Sequence, residues 1–239
     1  MLRRASLRQR NRQPEWMDEP NLDRELHENA LRGLARINSL SFAATALWRE
    51  IANVARAGVD RPLRILDVAT GSGDVPIRLQ ALAANAGVAV ELSGCDISTT
   101  AIDVARTQAR SARADVDFFA ANPVQTPISQ RYDVVMASLF LHHLDEEAAV
   151  TLLRHMRDAA TSAVFVSDLR RSTPGYWLAR IATQALTRSP VVHVDGPRSV
   201  EAAFTIDEAQ KLAAAAGWTS ATVRPIFPCR FLLSWRSKR

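Results

Sequence analysis

Cysteine is nearly missing from this chain: Cys95 and Cys229 are the only two in 239 residues. They make neither a disulfide framework nor a metal-ligand spacing, and free thiols in a cytoplasmic protein are the expectation. No apolar run approaches the roughly 20 residues that span a bilayer. The basic N-terminal stretch has no apolar segment behind it, so no secretory signal is expected there. Repeats and low-complexity segments are also missing. Acidic residues are missing from positions 1–12, where Arg3, Arg4, Arg8, Arg10 and Arg12 account for the whole formal net charge of +5. The rest of the chain is neutral, which speaks against a nucleic-acid substrate. The charge belongs to a tail without apolar period, expected to be disordered over 1–13. Contact of that tail with RNA or an acidic lipid surface is the route left to such partners.

What is present suits a soluble globule. Hydrophobic residues make up 47% and charged residues 23%, enough for one large α/β domain with a sizeable core. The chain is organised around Leu63–Asp74. Ile65, Leu66 and Val68 read as a buried parallel strand. Ala69, Thr70, Gly71, Ser72 and Gly73 then permit a sharp bend and a close approach to a ligand. Asp74 is expected to cap a helix over 75–82. The N–H groups of that helix point at whatever lies over the strand end. Gly71 and Gly73 also fit a dinucleotide fingerprint, but Pro76 stands at its third glycine. Asp67 would repel a pyrophosphate there.

Asp67, Ala69, Gly71 and Gly73 fill the positions of acid-x-Gly-x-Gly-x-Gly, with alanine for the first glycine. The turn therefore resembles the first motif of class I S-adenosylmethionine-dependent methyltransferases. The resemblance implies S-adenosylmethionine as cofactor, with Asp67 facing the cationic end of its methionine moiety. Asp96 closes a second strand, Val88–Asp96, about twenty residues after the turn. At that spacing an acid meets a ribose, and a carboxylate can accept from both hydroxyls. Ile97 beside it suits an adenine face, and Ser98 or Thr99 caps the next helix. After a third strand over 117–120, Ala121-Asn122-Pro123 stands where the resemblance implies a small residue and an Asp on adenine. The Asn122 carbonyl can still accept from an exocyclic amine. In the fourth strand, 132–141, Ser138 sits where the resemblance puts a backbone contact to the methionine amino group.

Two helices precede the first strand. Asp23–Leu34 is expected to end near Gly33 and break over 35–41, and Phe42–Ala57 follows. Together they form an expected cap, residues 14–58, lying across the sheet edge or packed on its flank. Asn38-Ser39-Leu40-Ser41-Phe42 with Leu47-Trp48-Arg49, and Ile65–Asp74, resemble the ubiquinone and menaquinone biosynthesis C-methyltransferases. Beyond the fourth strand come a fifth, Ala163–Asp168, an insertion, Arg170–Arg198, and a helix opened by a Thr205/Glu208 capping box. A hairpin, Ala221–Phe227 with Arg230–Trp235, closes the chain. The expected fold is α/β: a Rossmann-like, mostly parallel seven-stranded sheet with helices on both faces and an antiparallel closing hairpin. Residues 59–239 would be the cofactor-binding domain, with a lid at about 170–200.

His142 and His143 follow the fourth strand as candidate bases beside the expected methyl group. Adjacent residues do not easily face one pocket together, and His143 is preferred. Asp168 is read as an orienter of His142 or His193, or as a metal ligand. No His/Asp/Glu spacing matches a ligand set, and no metal is expected. In the lid, Arg198 would pair either with an acceptor group or with Asp195. Trp16, Phe42, Trp48, Tyr176 and Trp177 either line an apolar acceptor site or belong to the core. Trp48, Tyr176, His193 and Arg198 are the expected acceptor contacts. The resulting expectation is methyl transfer from S-adenosylmethionine to oxygen or carbon of a small aromatic, polyketide- or quinone-like molecule. An RNA or protein methyltransferase and a non-catalytic binding module are the alternatives.

Overall fold

The computed structural model describes residues 7–19, 21–40, 43–57 and 61–237. Seven strands form one sheet: β1 (Leu63–Val68), β2 (Val90–Asp96), β3 (Val116–Ala120), β4 (Tyr132–Ser138), β5 (Ala160–Leu169), β6 (Thr222–Ile226) and β7 (Arg230–Arg236). Their order is β3-β2-β1-β4-β5-β7-β6. β1 to β5 pair in parallel, while β7 enters antiparallel to β5 and pairs with β6 as the closing hairpin. The order reverses between β1 and β4. At that switch the loops leaving the two strands diverge and open a crevice, where open α/β sheets bind ligands.

Eight α-helices accompany the strands among the described residues: α1 (Arg24–Leu40), α2 (Ala43–Arg56), α3 (Asp74–Asn85), α4 (Thr99–Ala112), α5 (Glu146–Ala159), α6 (Thr173–Leu186), α7 (Pro190–Ala202) and α8 (Ile206–Ala215). The period-2 alternation of the strands decides how they pack. Leu66, Val68, Val135, Ala137, Val164 and Val166 join a core with the apolar residues of α5 and α8. Trp218 is buried there, its indole donating to the Leu153 carbonyl at 3.1 Å. The alternate residues Ile65, Val134, Met136 and Phe165 pack with Leu47, Ile51 and Val54 of α2 and Leu79 of α3. Both faces are covered, which is why the strands read as continuous apolar runs.

The two N-terminal helices part company. α2 lies on the sheet flank, and Trp48 packs against that core. α1 lies over the crevice with α6 and α7. Ala30, Val191 and Val192 form the centre of a small separate core there, with Trp16, Leu26, Leu34 and Ile37 against it. The expected single cap over 14–58 is thus divided. α1 also runs on to Leu40 without the expected break. Gly33 does not end it. A Cβ at that glycine would lie 2.5 Å from the Thr187 hydroxyl, so the missing side chain lets α1 approach the α6–α7 link. Close packing outweighs the roughly 1 kcal/mol that glycine costs inside a helix.

The tail expectation needs a second correction. Residues 7–13 belong to the fold: Asn11 N donates to the Glu201 carbonyl at 3.0 Å. The Arg10 guanidinium sits on the Phe204 ring, 3.7 Å from its centroid. It donates to the carbonyl oxygens of Ala202, His142 and Leu144. Charge alone suggested a solvated tail. Three carbonyl acceptors and an aromatic face hold this arginine instead.

Candidate functional site

The β1–α3 turn forms the floor. Ala69, Gly71 and Gly73 all adopt positive φ, at 54°, 55° and 75°. Thr70 N donates to the Cys95 carbonyl at 3.0 Å and Gly73 N to the Thr70 carbonyl at 3.0 Å, which locks the bend. A Cβ on Gly73 would strike Phe118, whereas one on Gly71 would meet nothing within 4 Å. The first glycine serves the protein's own packing and the second leaves open room. α3 opens with Gly73 as its N-cap and Asp74 as its first residue, so Asp74 does not cap with its side chain as expected. The left-handed glycine itself makes the entry.

Carboxylates stand on both sides of this bend. Asp67 is buried, and its Oδ2 accepts from Thr70 Oγ1 at 2.8 Å. Its Oδ1 is buried without a hydrogen-bond partner. Burial pushes the carboxyl up to about 8, and the nearby charges of Asp74 and Asp96 add to this against the Thr70 bond. Asp96 ties the end of β2 to the turn. Its Oδ2 accepts from Gly71 N and its Oδ1 from Ser98 N, both at 2.9 Å. Ser98 caps α4 through Ala101 N. Ile97 is 69% exposed. Asn122 uses its side-chain carbonyl to accept from Val124 N at 3.1 Å, and the Pro123 carbonyl faces His155 Nδ1 at 2.7 Å. Ser138 keeps a buried hydroxyl without a partner.

Asp67, Ala69, Thr70, Gly71, Asp96, Ile97, Asn122, Pro123 and Ser138 line one chamber of about 1160 Å³ that continues up to α1, α6 and α7, whereas Gly73, expected as a cofactor contact, packs on Phe118 and is not in its lining. Glu15, His142 and His143 line the same chamber. The two histidines leave β4 on a short 3-10 turn, Leu141–His143, with ring centroids 4.4 Å apart. Both reach the chamber, contrary to expectation. A turn does not send successive side chains to opposite faces as a strand does. Asp168, at the end of β5, meets His142 twice: Oδ2 accepts from the backbone N at 3.0 Å, and Oδ1 lies 2.7 Å from Nδ1. Burial alone would raise the Asp168 carboxyl, but the His142 ring and the N–H groups of Leu169 and His142 outweigh it. The carboxyl stays below its ordinary range. An ionised Asp168 accepts from Nδ1 and turns Nε2 of His142 to the opposite side, toward Glu15. Arg230 adds a buried cation to the lining; burial lowers it to about 10, with Asp168 and Asp74 opposing.

Four expected acceptor contacts stand elsewhere. Trp48 packs on the sheet flank. Tyr176 meets Trp177 edge-on, at 5.8 Å between centroids, and Trp177 is exposed. His193 Nε2 lies 2.8 Å from the Thr187 carbonyl, and Arg198 lies 3.9 Å from Asp195. None of the four lines the chamber. Trp16 packs in the small upper core, and Phe42 falls outside the described residues. Glu15 was not anticipated. It lies in an acidic stretch between prolines, and only the docking of residues 7–19 against α7 brings it to the histidines. Asp195 fixes that segment by accepting from Trp16 N and Met17 N at 2.9 and 3.0 Å.

Comparison with known proteins agrees with this geometry. Residues 65–162 match the family model described as a methyltransferase domain. Residues 65–162 are therefore similar to a methyltransferase domain. A curated relative, the demethylmenaquinone methyltransferase of Thermus thermophilus, is 34% identical over 113 residues. That match covers 46% of this chain and 49% of the relative, so the chain spans about half the length of the curated relative it matches. Among solved structures, the plantazolicin methyltransferase BpumL, in complex with a pentazolic analogue and S-adenosylhomocysteine, superposes with a TM-score of 0.63 at 14% identity. The superposition covers 90% of this chain and 99% of that one. The magnesium protoporphyrin IX methyltransferase of Synechocystis, with bound S-adenosylhomocysteine, gives 0.57 at 16% identity, covering 89% and 87%. At these identities the structures establish a shared methyltransferase fold. No helix among the described residues is long and apolar enough to cross a membrane.

The Synechocystis enzyme has been solved with S-adenosylmethionine and with S-adenosylhomocysteine, and the lining here fits such a group. An unpartnered buried carboxylate oxygen on Asp67 suits a cationic end, the Ser138 hydroxyl offers a further polar contact, and the open side of Gly71 leaves space between them.

Proposed function

We propose that this protein transfers a methyl group from S-adenosylmethionine to oxygen or an acidic ring carbon of a small, largely apolar acceptor. The observation that carries the reading is the continuity of the chamber. Asp67, Gly71 and Asp96 line the same chamber as His142, His143 and Glu15. Asp67 and Ser138 would hold the methionine end, with Asp96 and Ile97 toward the ribose and adenine and Asn122 and Pro123 beside them. Bound there, S-adenosylmethionine supplies an electrophilic methyl on a sulfonium. The chain's own task is to place the acceptor in line, keep water out and handle the acceptor's proton. The histidines serve that last task. The lining also includes apolar residues of α1 and α6, among them Leu31, Leu34 and Leu178. Such a lining suits an aromatic, polyketide-like or quinone-like body.

A macromolecular acceptor is less well served. Arg10, which an RNA-binding tail would present outward, is spent on three carbonyl oxygens inside the fold. Calorimetric titration with S-adenosylmethionine should show saturable binding. Asp96→Ala should weaken it about 10- to 100-fold, the equivalent of losing hydrogen bonds to a charged group. Unchanged affinity would remove Asp96 from the cofactor site. A panel of hydroxylated aromatic compounds, read by release of S-adenosylhomocysteine, tests the acceptor class.

A further inference from the structure

Glu15, His142 and His143 come from distant parts of the chain and converge in the lining of the chamber. Glu15 Oε1 lies 3.7 Å from His142 Nε2, and Oε2 lies 3.7 Å from His143 Nε2. These separations are too long for hydrogen bonds. They are close to the spacing of neighbouring ligands on a tetrahedral cation. With ligand atoms about 2.1 Å from the ion, tetrahedral angles set them about 3.4 Å apart. With one ligand atom from each residue, the three lie within 4.8 Å of one another. We propose, building on the methyl-transfer reading above, that Glu15, His142 and His143 bind a divalent cation of the zinc type whose open position faces the acceptor.

The surroundings of the three residues are those of a prepared site. Asp168 holds the Nδ1 side of His142, which aims the Nε2 lone pair at the gap. A carboxylate behind a ligating histidine orients the ring and raises its basicity. Ser199 Oγ donates to Glu15 Oε1 at 2.6 Å, fixing the third ligand from α7. Arg10 and Arg12 donate to the carbonyl oxygens of His142 and His143 and hold the turn from the N-terminal side. Glu15 is buried. A buried carboxylate costs free energy that an adjacent cation offsets. Two imidazoles and one carboxylate favour zinc-like ions over magnesium or calcium. Three protein ligands with one open position is the arrangement of reactive rather than structural sites.

The chemical consequence balances simply. An acceptor hydroxyl on the cation sheds its proton to water. Its oxygen pair, or that of the conjugated ring carbon, then forms the bond to the methyl carbon. The carbon–sulfur bond breaks, its pair remains on sulfur, and the cation is unchanged.

Cobalt(II) is the probe. The chelator-treated full chain should bind one equivalent, with visible absorption bands of tetrahedral intensity. Glu15→Gln and His143→Asn should each weaken that binding at least about 100-fold, and Asp168→Asn about 10- to 100-fold. S-adenosylmethionine affinity should stay the same in Glu15→Gln and His143→Asn, and this also shows that they fold. A wild-type chain that gives no cobalt spectrum overturns the proposal. So does cobalt affinity unchanged in His143→Asn, the more exposed position. A wild-type chain that binds cobalt but not S-adenosylmethionine sinks the methyl-transfer reading and leaves the cation site standing.

Discussion

The floor and the roof of the chamber are built on different principles. The floor is the set of turns at the strand ends, held by contacts within one turn or between turns of adjacent strands: Thr70 to Asp67, Gly73 to Thr70, Gly71 to Asp96. The roof is α1, α6, α7 and residues 7–19, held by contacts between remote segments: Arg10 to Ala202, Trp16 to Asp195, Arg36 to Leu186. Backbone shapes the first and side chains reaching across the fold shape the second. Under the proposed function, the floor can therefore stay constant while the roof is rebuilt by changing a few helix residues. Loops and insertions on a rigid sheet are the usual place for such change. The largest effect should come from the sheet under the floor. Phe165 is fully buried, and Phe165→Ala should cost about 3–5 kcal/mol. Chemical denaturation should show cofactor binding and secondary structure lost together. Loss of one before the other would mean that the floor folds apart from its sheet.

A pH experiment sharpens the comparison at Asp67. In the unfolded chain its carboxyl titrates near 3.8; in the fold it is pushed up to about 8. Between those values the folded chain holds a proton that the unfolded chain has lost. The associated stability is complete below about pH 4 and is lost as pH rises toward 8, with a limiting slope of about 1.4 kcal/mol per pH unit. Stability measured from pH 5 to 8 should fall more steeply in the wild type than in Asp67→Asn. Equal slopes would place Asp67 in a wetter site than its burial indicates.

The sequence exposed the floor and hid the roof for the same reason. Asp67, Gly71 and Asp96 act through backbone geometry that recurs at fixed spacing, so their positions are readable along the chain. The two-faced sheet was equally readable, because Ile65 and Leu66 are both apolar on adjacent positions. Glu15 acts only through a docking that no local pattern encodes, and Arg10 looked like tail charge because its acceptors lie near residues 142, 144 and 202. Tyr176, Trp177, His193 and Arg198 misled in the opposite sense. Aromatic and polar residues in an insertion look like a lining, yet Tyr176 meets Trp177, His193 meets the Thr187 carbonyl and Arg198 meets Asp195. Continuity of α1 past Gly33 was hidden too, because the reason for that glycine is Thr187, far along the chain.

Gly33→Ala separates the two regions with a smaller effect. Its Cβ would lie 2.5 Å from the Thr187 hydroxyl, so α1 or the α6–α7 link must shift. Overpacking of this kind costs about 1–3 kcal/mol, and the better helix propensity of alanine returns about 0.5–1. Thermal unfolding should drop by a few degrees. S-adenosylmethionine affinity, measured by calorimetry, should not change, while cobalt binding through Glu15 should weaken because α7 carries Ser199. A fall in cofactor affinity would show that roof and floor are mechanically one piece.

The smallest effect is expected at Ala69, and it tests whether the floor tolerates strain because it is over-determined. Alanine at φ 54° sits in the left-handed region, which costs a non-glycine residue about 1–2 kcal/mol. The bend around it is fixed by Thr70 N on Cys95 and by Asp96 on Gly71, so the strain persists. Ala69→Gly relieves that strain but adds freedom to the unfolded chain worth about 0.5–1 kcal/mol. The net gain should be about 0.5–1 kcal/mol, or roughly 1–4 °C in melting temperature for a chain of this size. The Ala69 methyl also packs against the core shared with α5 and α8. A variant that melts lower than wild type would mean that this contact outweighs the backbone strain, and that side-chain packing, not backbone alone, holds the floor.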